Sequence, residues 1–243
     1  MARRKLQAVL LDMGGVMLQM AGGRGFPHAR LDWRGRQAMV HAIAQQGGRV
    51  ELEALENLVF EPWREDYEAR EDRGREADWA PHLERLRSAT GSRASDFDLL
   101  AAWFGPYGEQ LIPFDGAARA LQELQEMNLK LAVVSNVPLP GELYANVLAR
   151  HGLRQFLHQL FFSYDFGSRK PSPAILRHAM MAVTADPEST VMVGDRRDRD
   201  IAAGRSAGAR TVWVRSQDGG GPDADASVGA LAELPMLLEQ WRR

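Results

Sequence analysis

The 243-residue chain contains no cysteine, which excludes disulfides, thiol nucleophiles and thiolate metal sites and accords with a reducing compartment. It also lacks a long apolar run. The basic start, Met1 to Lys5, leads into an apolar stretch that Asp12 interrupts before it is long enough for a signal peptide or membrane span, so a cytoplasmic chain is expected. Nor is there an excess of charge of one sign. Thirty Lys and Arg against 32 Asp and Glu give a formal charge of −2, so no global field draws the chain to nucleic acid or to an anionic membrane. Its partners must be recognised locally. No internal repeat is present, and no feature of the sequence sets an oligomeric state.

What is present is an ordinary globular composition, 45% hydrophobic and 26% charged, with enough length for one large α/β domain or for a core carrying a smaller insert. Short apolar runs at Ala8 to Leu11, Leu131 to Val134, Leu160 to Phe162, Val191 to Val193 and Thr211 to Val214 predict buried strands. Helical spacing separates most of them. Ala117, Ala120, Leu121, Leu124 and Met127 follow a candidate cap at Asp115, and Ile175, Leu176, Ala179, Met180 and Val183 follow Pro171 and Pro173. This alternation predicts a Rossmann-like, doubly wound parallel sheet whose strands present their carboxyl ends along one edge, where open α/β sheets bind ligands.

From about Gly22 to Pro113 the rhythm changes, because no β run occurs there. Gln37 to Gln46, Glu51 to Glu68 with a kink or break at Pro62, Pro81 to Ser88 and Ser95 to Phe104 read as helices. The expected division is therefore a core of 1–20 and 113–243 with a helical insert at 21–112. Gly22, Gly23 and Gly25 before the insert, and Gly105, Pro106, Gly108 and Pro113 after it, are candidate hinge or turn positions. Gly219-Gly220-Gly221-Pro222 predicts a surface loop, and Leu231, Leu234, Leu237, Leu238 and Trp241 predict a packing helix.

Four polar groups stand at or just after predicted strand ends. Asp12 ends the first apolar run and is followed by Gly14-Gly15, where backbone can approach a ligand closely; taken alone, such an aspartate is more often a turn former. Ser135-Asn136 follows Leu131 to Val134 and offers a hydroxyl and backbone amides to an anionic oxygen. Lys170, in Gly167-Ser168-Arg169-Lys170-Pro171, precedes a helix; a lone lysine there is usually a solvated charge. Gly194-Asp195, with Asp198 and Asp200 beyond it, offers oxygen ligands suited to magnesium, although Arg196, Arg197 and Arg199 would also make a self-neutralising loop.

Together, Val9-Leu10-Leu11-Asp12-Met13-Gly14-Gly15-Val16, Val133-Val134-Ser135-Asn136, Arg169-Lys170-Pro171 and Val193-Gly194-Asp195 to Asp200-Ile201 resemble, in order and spacing, the four motifs of the haloacid dehalogenase superfamily. The resemblance covers the core; the insert matches that family's cap only in position and helical character. It implies a hydrolase in which Asp12 attacks phosphorus to form an aspartyl-phosphate that water then hydrolyses. It further implies a Mg2+ cofactor held by Asp12, the Gly14 carbonyl and Asp195, with Asp200 supporting the metal or orienting Lys170. Ser135 and the Asn136 amide would hold phosphoryl oxygens, and Lys170 would neutralise charge on the nucleophile and the transferring group. The partner implied is a small-molecule phosphoester.

One departure from the family pattern stands out. Most phosphatases of the family carry a second aspartate two residues after the nucleophile, the acid that protonates the leaving oxygen, where this chain has Gly14. A positioned general acid contributes roughly 10²- to 10⁴-fold. The gap suggests good leaving groups such as anomeric or acyl phosphates, an acid borrowed from the cap, a 2-haloacid dehalogenase, or a catalytically impaired binding protein. The Gly194-Asp195 pair favours a phosphatase, because the dehalogenase branch lacks that pair and carries an aromatic residue where Gly14 stands. Within the insert, His28, Arg30, Trp33, Trp63, Arg64, Tyr67, Trp79 and His82 are candidate substrate contacts, with packing and solvated charge as their ordinary roles.

Overall fold

A computed structural model of the chain describes residues 5–22, 28–71, 73–215 and 222–242. Its centre is a six-stranded sheet ordered β5-β4-β1-β6-β7-β8, with every pair parallel. These strands are β1 (Ala8–Leu11), β4 (Lys130–Ser135), β5 (Gln159–Phe162), β6 (Thr190–Gly194), β7 (Arg210–Val214) and β8 (Ala226–Val228). Two short strands, β2 (Leu18–Met20) and β3 (Leu111–Pro113), pair antiparallel as a separate ribbon.

The central strands are apolar on both faces because both are covered. Val9, Leu11, Leu131, Val133, Val191 and Val193 point to one side, and Ala8, Leu10, Ala132, Val134 and Met192 to the other, as the two-residue period of a strand requires. The first face packs on α6 (Ala117–Glu126), α7 (Gly141–Arg150) and α11 (Leu234–Arg242); the second packs on α9 (Ala174–Ala182) and α10 (Ala202–Ala207). A further short helix, α8 (Ser163–Phe166), follows β5 directly.

Between β2 and β3 the named elements of the described chain are helices: α1 (His28–Gln45), α2 (Leu52–Leu55), α3 (Glu61–Glu71), α4 (Ala80–Thr90) and α5 (Asp96–Gly108). Trp63 stacks on Trp79 with centroids 4.1 Å apart, and Phe60 and Trp103 pack around the pair. Among the described residues no helix is long and apolar enough to cross a membrane.

Several local expectations need correction. The helix expected at Gln37 starts at His28 and runs through Gly35, where a Cβ would fall 2.3 Å from the Trp103 carbonyl oxygen, so that glycine lets α1 approach α5 rather than breaking the helix. Pro62 does not break its helix. The chain is helical from Leu52 to Glu71, and the turn just before the proline, Glu56–Phe60, widens to a π-helical turn that accommodates the missing N–H. Gly105, Pro106 and Gly108 are not hinges but lie within α5, where a Cβ on Gly108 would meet the Phe104 ring at 2.7 Å. Pro113 belongs to β3, and the cap of α6 is Gly116 at φ 76°, not Asp115. Gly22 sits in a turn, whereas Gly23, Gly25 and Gly219 to Gly221 lie outside the described residues.

Leu121 is fully buried on α6. Leu121→Ala should lower stability by about 2–5 kcal/mol in urea unfolding with an unchanged m-value, whereas Met181→Ala on an exposed surface should stay within about 0.5 kcal/mol.

Candidate active site

The sheet order places β1 between β4 and β6, at the point where the winding reverses. Leu11 pairs with Val133 on one side and Val193 on the other, so the residues just after these three strands come level with one another. At those strand ends stand Asp12, Ser135-Asn136 and Asp195. The Asp12 N–H donates to the Val193 carbonyl at 2.9 Å, carrying the sheet one residue further before the chain turns.

That turn is tight. The N–H groups of Met17 and Leu18 both reach the Met13 carbonyl, and Gly15 N–H reaches Leu18 O, all at 2.9 Å. Gly15 has φ +72°, and a Cβ there would lie 2.2 Å from Asp195 Oδ2, so this glycine makes room for the Asp195 carboxylate. Gly194 does the same for Asp200, whose Cβ and Cγ would both lie 2.2 Å from an added Cβ. Gly14 faces open space: a side chain there would meet nothing within 4 Å.

Lys170 joins these elements. Its Nζ donates to Asp12 Oδ1 at 2.8 Å and to the Val134 carbonyl at 2.7 Å, and lies 2.6 Å from Asp200 Oδ1. The lysine is 2% exposed, Asp12 9%, Asp195 4% and Asp200 1%, so water screens these charges little. Asp200 Oδ2 accepts the Arg196 backbone N–H at 2.9 Å, and the Asp195 carbonyl accepts the Trp213 indole N–H at 2.9 Å.

The Asn136 side chain is engaged with the Lys170 backbone. Its carboxamide Nδ2 donates to the Lys170 carbonyl at 2.8 Å, and its Oδ1 accepts the Lys170 N–H at 2.9 Å. This two-way clamp fixes the lysine's backbone, which includes a cis Lys170–Pro171 peptide. Ser135 is buried at the end of β4, one residue before the clamp.

Burial disfavours charge on both Lys170 and Asp200, with opposite results. For Lys170, burial lowers the pKa, but the carboxylates of Asp12 and Asp200 more than offset it, and the ammonium is held above its ordinary range. For Asp200, burial dominates and the carboxyl is pushed up to about 6, with Lys170 opposing the rise and Asp12 adding to it.

Oxygen atoms of Asp12, Asp195 and Asp200 all lie within 4.8 Å of one another. Three buried carboxylates gather here, and an all-oxygen set of this kind suits Mg2+. The residues present therefore fit a divalent cation.

Of the candidate insert contacts, Trp63 and Trp79 belong to the aromatic cluster, and the Trp79 indole N–H donates to Pro138 O at 2.7 Å. Arg64 pairs with Glu56, His82 is buried, and Arg30 and Trp33 are exposed. The Arg169 guanidinium lies over the Tyr67 ring at 5.0 Å. The side chain of His28 lies outside the described residues. Sequence reasoning missed the Asn136 clamp and a buried Glu76–Arg169 pair, whose charges read as surface residues. The one available signal was the position of Arg169 beside Lys170.

Comparison with known proteins gives a consistent picture. Residues 6–208 match the sequence profile of the haloacid dehalogenase-like hydrolases. The chain is 32% identical to the phosphoserine phosphatase of Thermus thermophilus over 94% of this chain and 90% of that protein. In structure it resembles a HAD phosphatase from Thermococcus onnurineus, with TM-score 0.63, 22% identity, and 96% of this chain and 98% of that one covered. It also resembles a 2-haloacid dehalogenase from Pseudomonas syringae pv. Tomato, with TM-score 0.60, 22% identity, and coverage of 97% and 99%.

The raised Asp200 carboxyl makes cation binding pH-dependent. Below pH about 6 the metal-free chain keeps a proton there, so a cation held beside it by Asp12 and Asp195 would meet less negative charge. Magnesium affinity measured by calorimetry should weaken as pH falls through about 6, with proton release on binding in that range. For stability the sign is opposite to that of an ordinary paired aspartate: this group's contribution to the metal-free fold is full below 3.8 and is lost as pH rises through about 6.

Proposed function

The chain belongs to the haloacid dehalogenase-like hydrolases, and from that membership we propose that it is a magnesium-dependent phosphatase that attacks a small phosphomonoester with Asp12. The observation that carries this reading is the meeting of Asp12, Asp195, Asp200 and Lys170 in one buried cluster at the carboxyl ends of β1 and β6. The phosphoserine phosphatase relative supports the choice of a phosphoester over a carbon–halogen bond.

In this reading, one Asp12 carboxylate oxygen attacks phosphorus while the ester P–O bond breaks, leaving an aspartyl-phosphate and an alkoxide. The alkoxide takes a proton from water and departs as the alcohol; a water molecule then attacks the phosphorus of the intermediate, the P–O bond to Asp12 breaks, and the Asp12 carboxylate and inorganic phosphate are released. Lys170, held by Asp12, Asp200 and the Val134 carbonyl, opposes the charge gathered on the nucleophile and the phosphoryl oxygens. Ser135 and the Asn136 backbone N–H would bind those oxygens, since the Asn136 carboxamide is engaged with the Lys170 backbone. Asp12, Asp195 and the Gly14 carbonyl would hold Mg2+, and Asp200 would orient Lys170. When bound, the cation supplies charge neutralisation to the phosphoryl group.

The helical insert, 21–112, is assigned the part of a cap that reads the leaving group and excludes water, with 1–20 and 113–243 as the catalytic core. No acid stands at position 14, so the departing oxygen leaves without a proton from that residue, and substrates of low leaving-group pKa are favoured. That same gap motivates the second reading, dehalogenation, because a departing halide needs no proton.

Two measurements test this. Magnesium-dependent phosphate release should vanish in Asp12→Asn, a change that keeps shape and removes the nucleophilic charge; a fully active variant would exclude Asp12 as the nucleophile. Chelator-resistant halide release from a 2-haloacid would favour the second reading. Because Gly14 faces open space, Gly14→Asp should fold and raise turnover on alkyl phosphates by about tenfold or more, well beyond any gain on aryl phosphates. Equal gains on both would contradict the leaving-group account.

A further inference from the structure

We propose that Glu76, in the insert segment between α3 and α4, is a positioning residue that holds the two core loops carrying Ser135 and Lys170. Its effect on turnover rests on the phosphatase reading; its hold on the loops does not.

The segment around Glu76 is not helical and runs against the core. Arg75 forms an antiparallel bridge with Ser168, and the Arg169 N–H donates to Gly74 O at 3.0 Å, so the insert pairs with the residues directly before Lys170. Glu76 then reaches inward, 7% exposed, and its two carboxylate oxygens serve different loops.

Oε2 lies 3.4 Å from Nη1 of Arg169, which is 3% exposed and also donates from Nη2 to the Tyr67 hydroxyl at 2.9 Å. Oε1 accepts the Ser163 hydroxyl at 2.5 Å. The Ser163 oxygen in turn accepts the Val137 N–H at 2.9 Å, one residue beyond Asn136. A second insert contact, Trp79 Nε1 to Pro138 O, falls on the same loop.

The two loops are already joined to each other by the Asn136 clamp on Lys170. Glu76 therefore completes a closed circuit from the insert through Ser163 to Val137, across Asn136 to Lys170, and back through Arg169. A carboxylate suits this junction because it accepts from both a neutral hydroxyl and a guanidinium, and burial strengthens each bond. With the circuit intact the ammonium is fixed to within the small tolerance that transition-state stabilisation demands. The insert's seating is thereby coupled to the geometry of both loops.

The test compares full-length wild type with Glu76→Gln, Ser163→Ala and, as a control for lost stability within the insert, Leu86→Ala on α4, which lies outside the circuit. Hydrogen–deuterium exchange should rise about tenfold in Glu76→Gln in peptides covering 135–137 and 168–170. Ser163→Ala should loosen only 135–137, and it tests that branch by itself should Glu76→Gln not fold. Leu86→Ala should lower the melting temperature and leave both segments protected. With p-nitrophenyl phosphate and saturating magnesium, Glu76→Gln should lower kcat about 10- to 100-fold with KM within about twofold, while Leu86→Ala keeps the wild-type kcat. Unchanged exchange in Glu76→Gln, or an equal rise in Leu86→Ala, overturns the proposal. A wild-type chain that releases no phosphate with magnesium counts against the phosphatase reading instead, and the exchange result then decides the role of Glu76 alone.

Discussion

One buried ammonium organises the site. Lys170 Nζ meets Asp12, Asp200 and the Val134 carbonyl within 2.8 Å, and so ties the ends of β1 and β4 to the turn that follows β6. Without that cation, three aspartates packed within 4.8 Å of one another would repel in a region that water hardly reaches. The remaining local features serve this arrangement. Gly15 and Gly194 leave space for Asp195 and Asp200, and Asn136 fixes the backbone from which the lysine projects.

The sheet makes such a gathering possible. Parallel strands bring their carboxyl ends to one edge, and the order β4-β1-β6 makes the three contributing strands immediate neighbours. Lys170 comes from further along the chain, in the connection after α8, and must be steered to that edge. The circuit through Glu76, Ser163 and Arg169 spans insert and core, so the helical segment is part of what steers it.

Much of this was legible in the sequence, for identifiable physical reasons. The runs at Ala8 to Leu11 and Val191 to Val193 read as strands because both faces are buried and nothing polar interrupts them. Asp12, Ser135 and Asp195 could be read as strand-end groups for the same reason. Strands β2, β3 and β8 were missed, since three residues carry too little periodicity, and Pro113 argues locally against a strand. Gly108 misled because a glycine that permits close packing looks, in sequence, like one that breaks a helix. Glu76 was invisible: it lies among charged residues whose usual place is the surface, and only the fold brings it to Arg169 across 93 residues.

The central claim is that Asp12 becomes covalently phosphorylated within the lysine-bound cluster. Acid-quenched peptide mass spectrometry during turnover tests it most directly. A phosphoryl adduct on the peptide containing Asp12, chased away by unlabelled substrate, is the predicted result. Steady phosphate release with no adduct there, or with an adduct on another residue, would contradict the account.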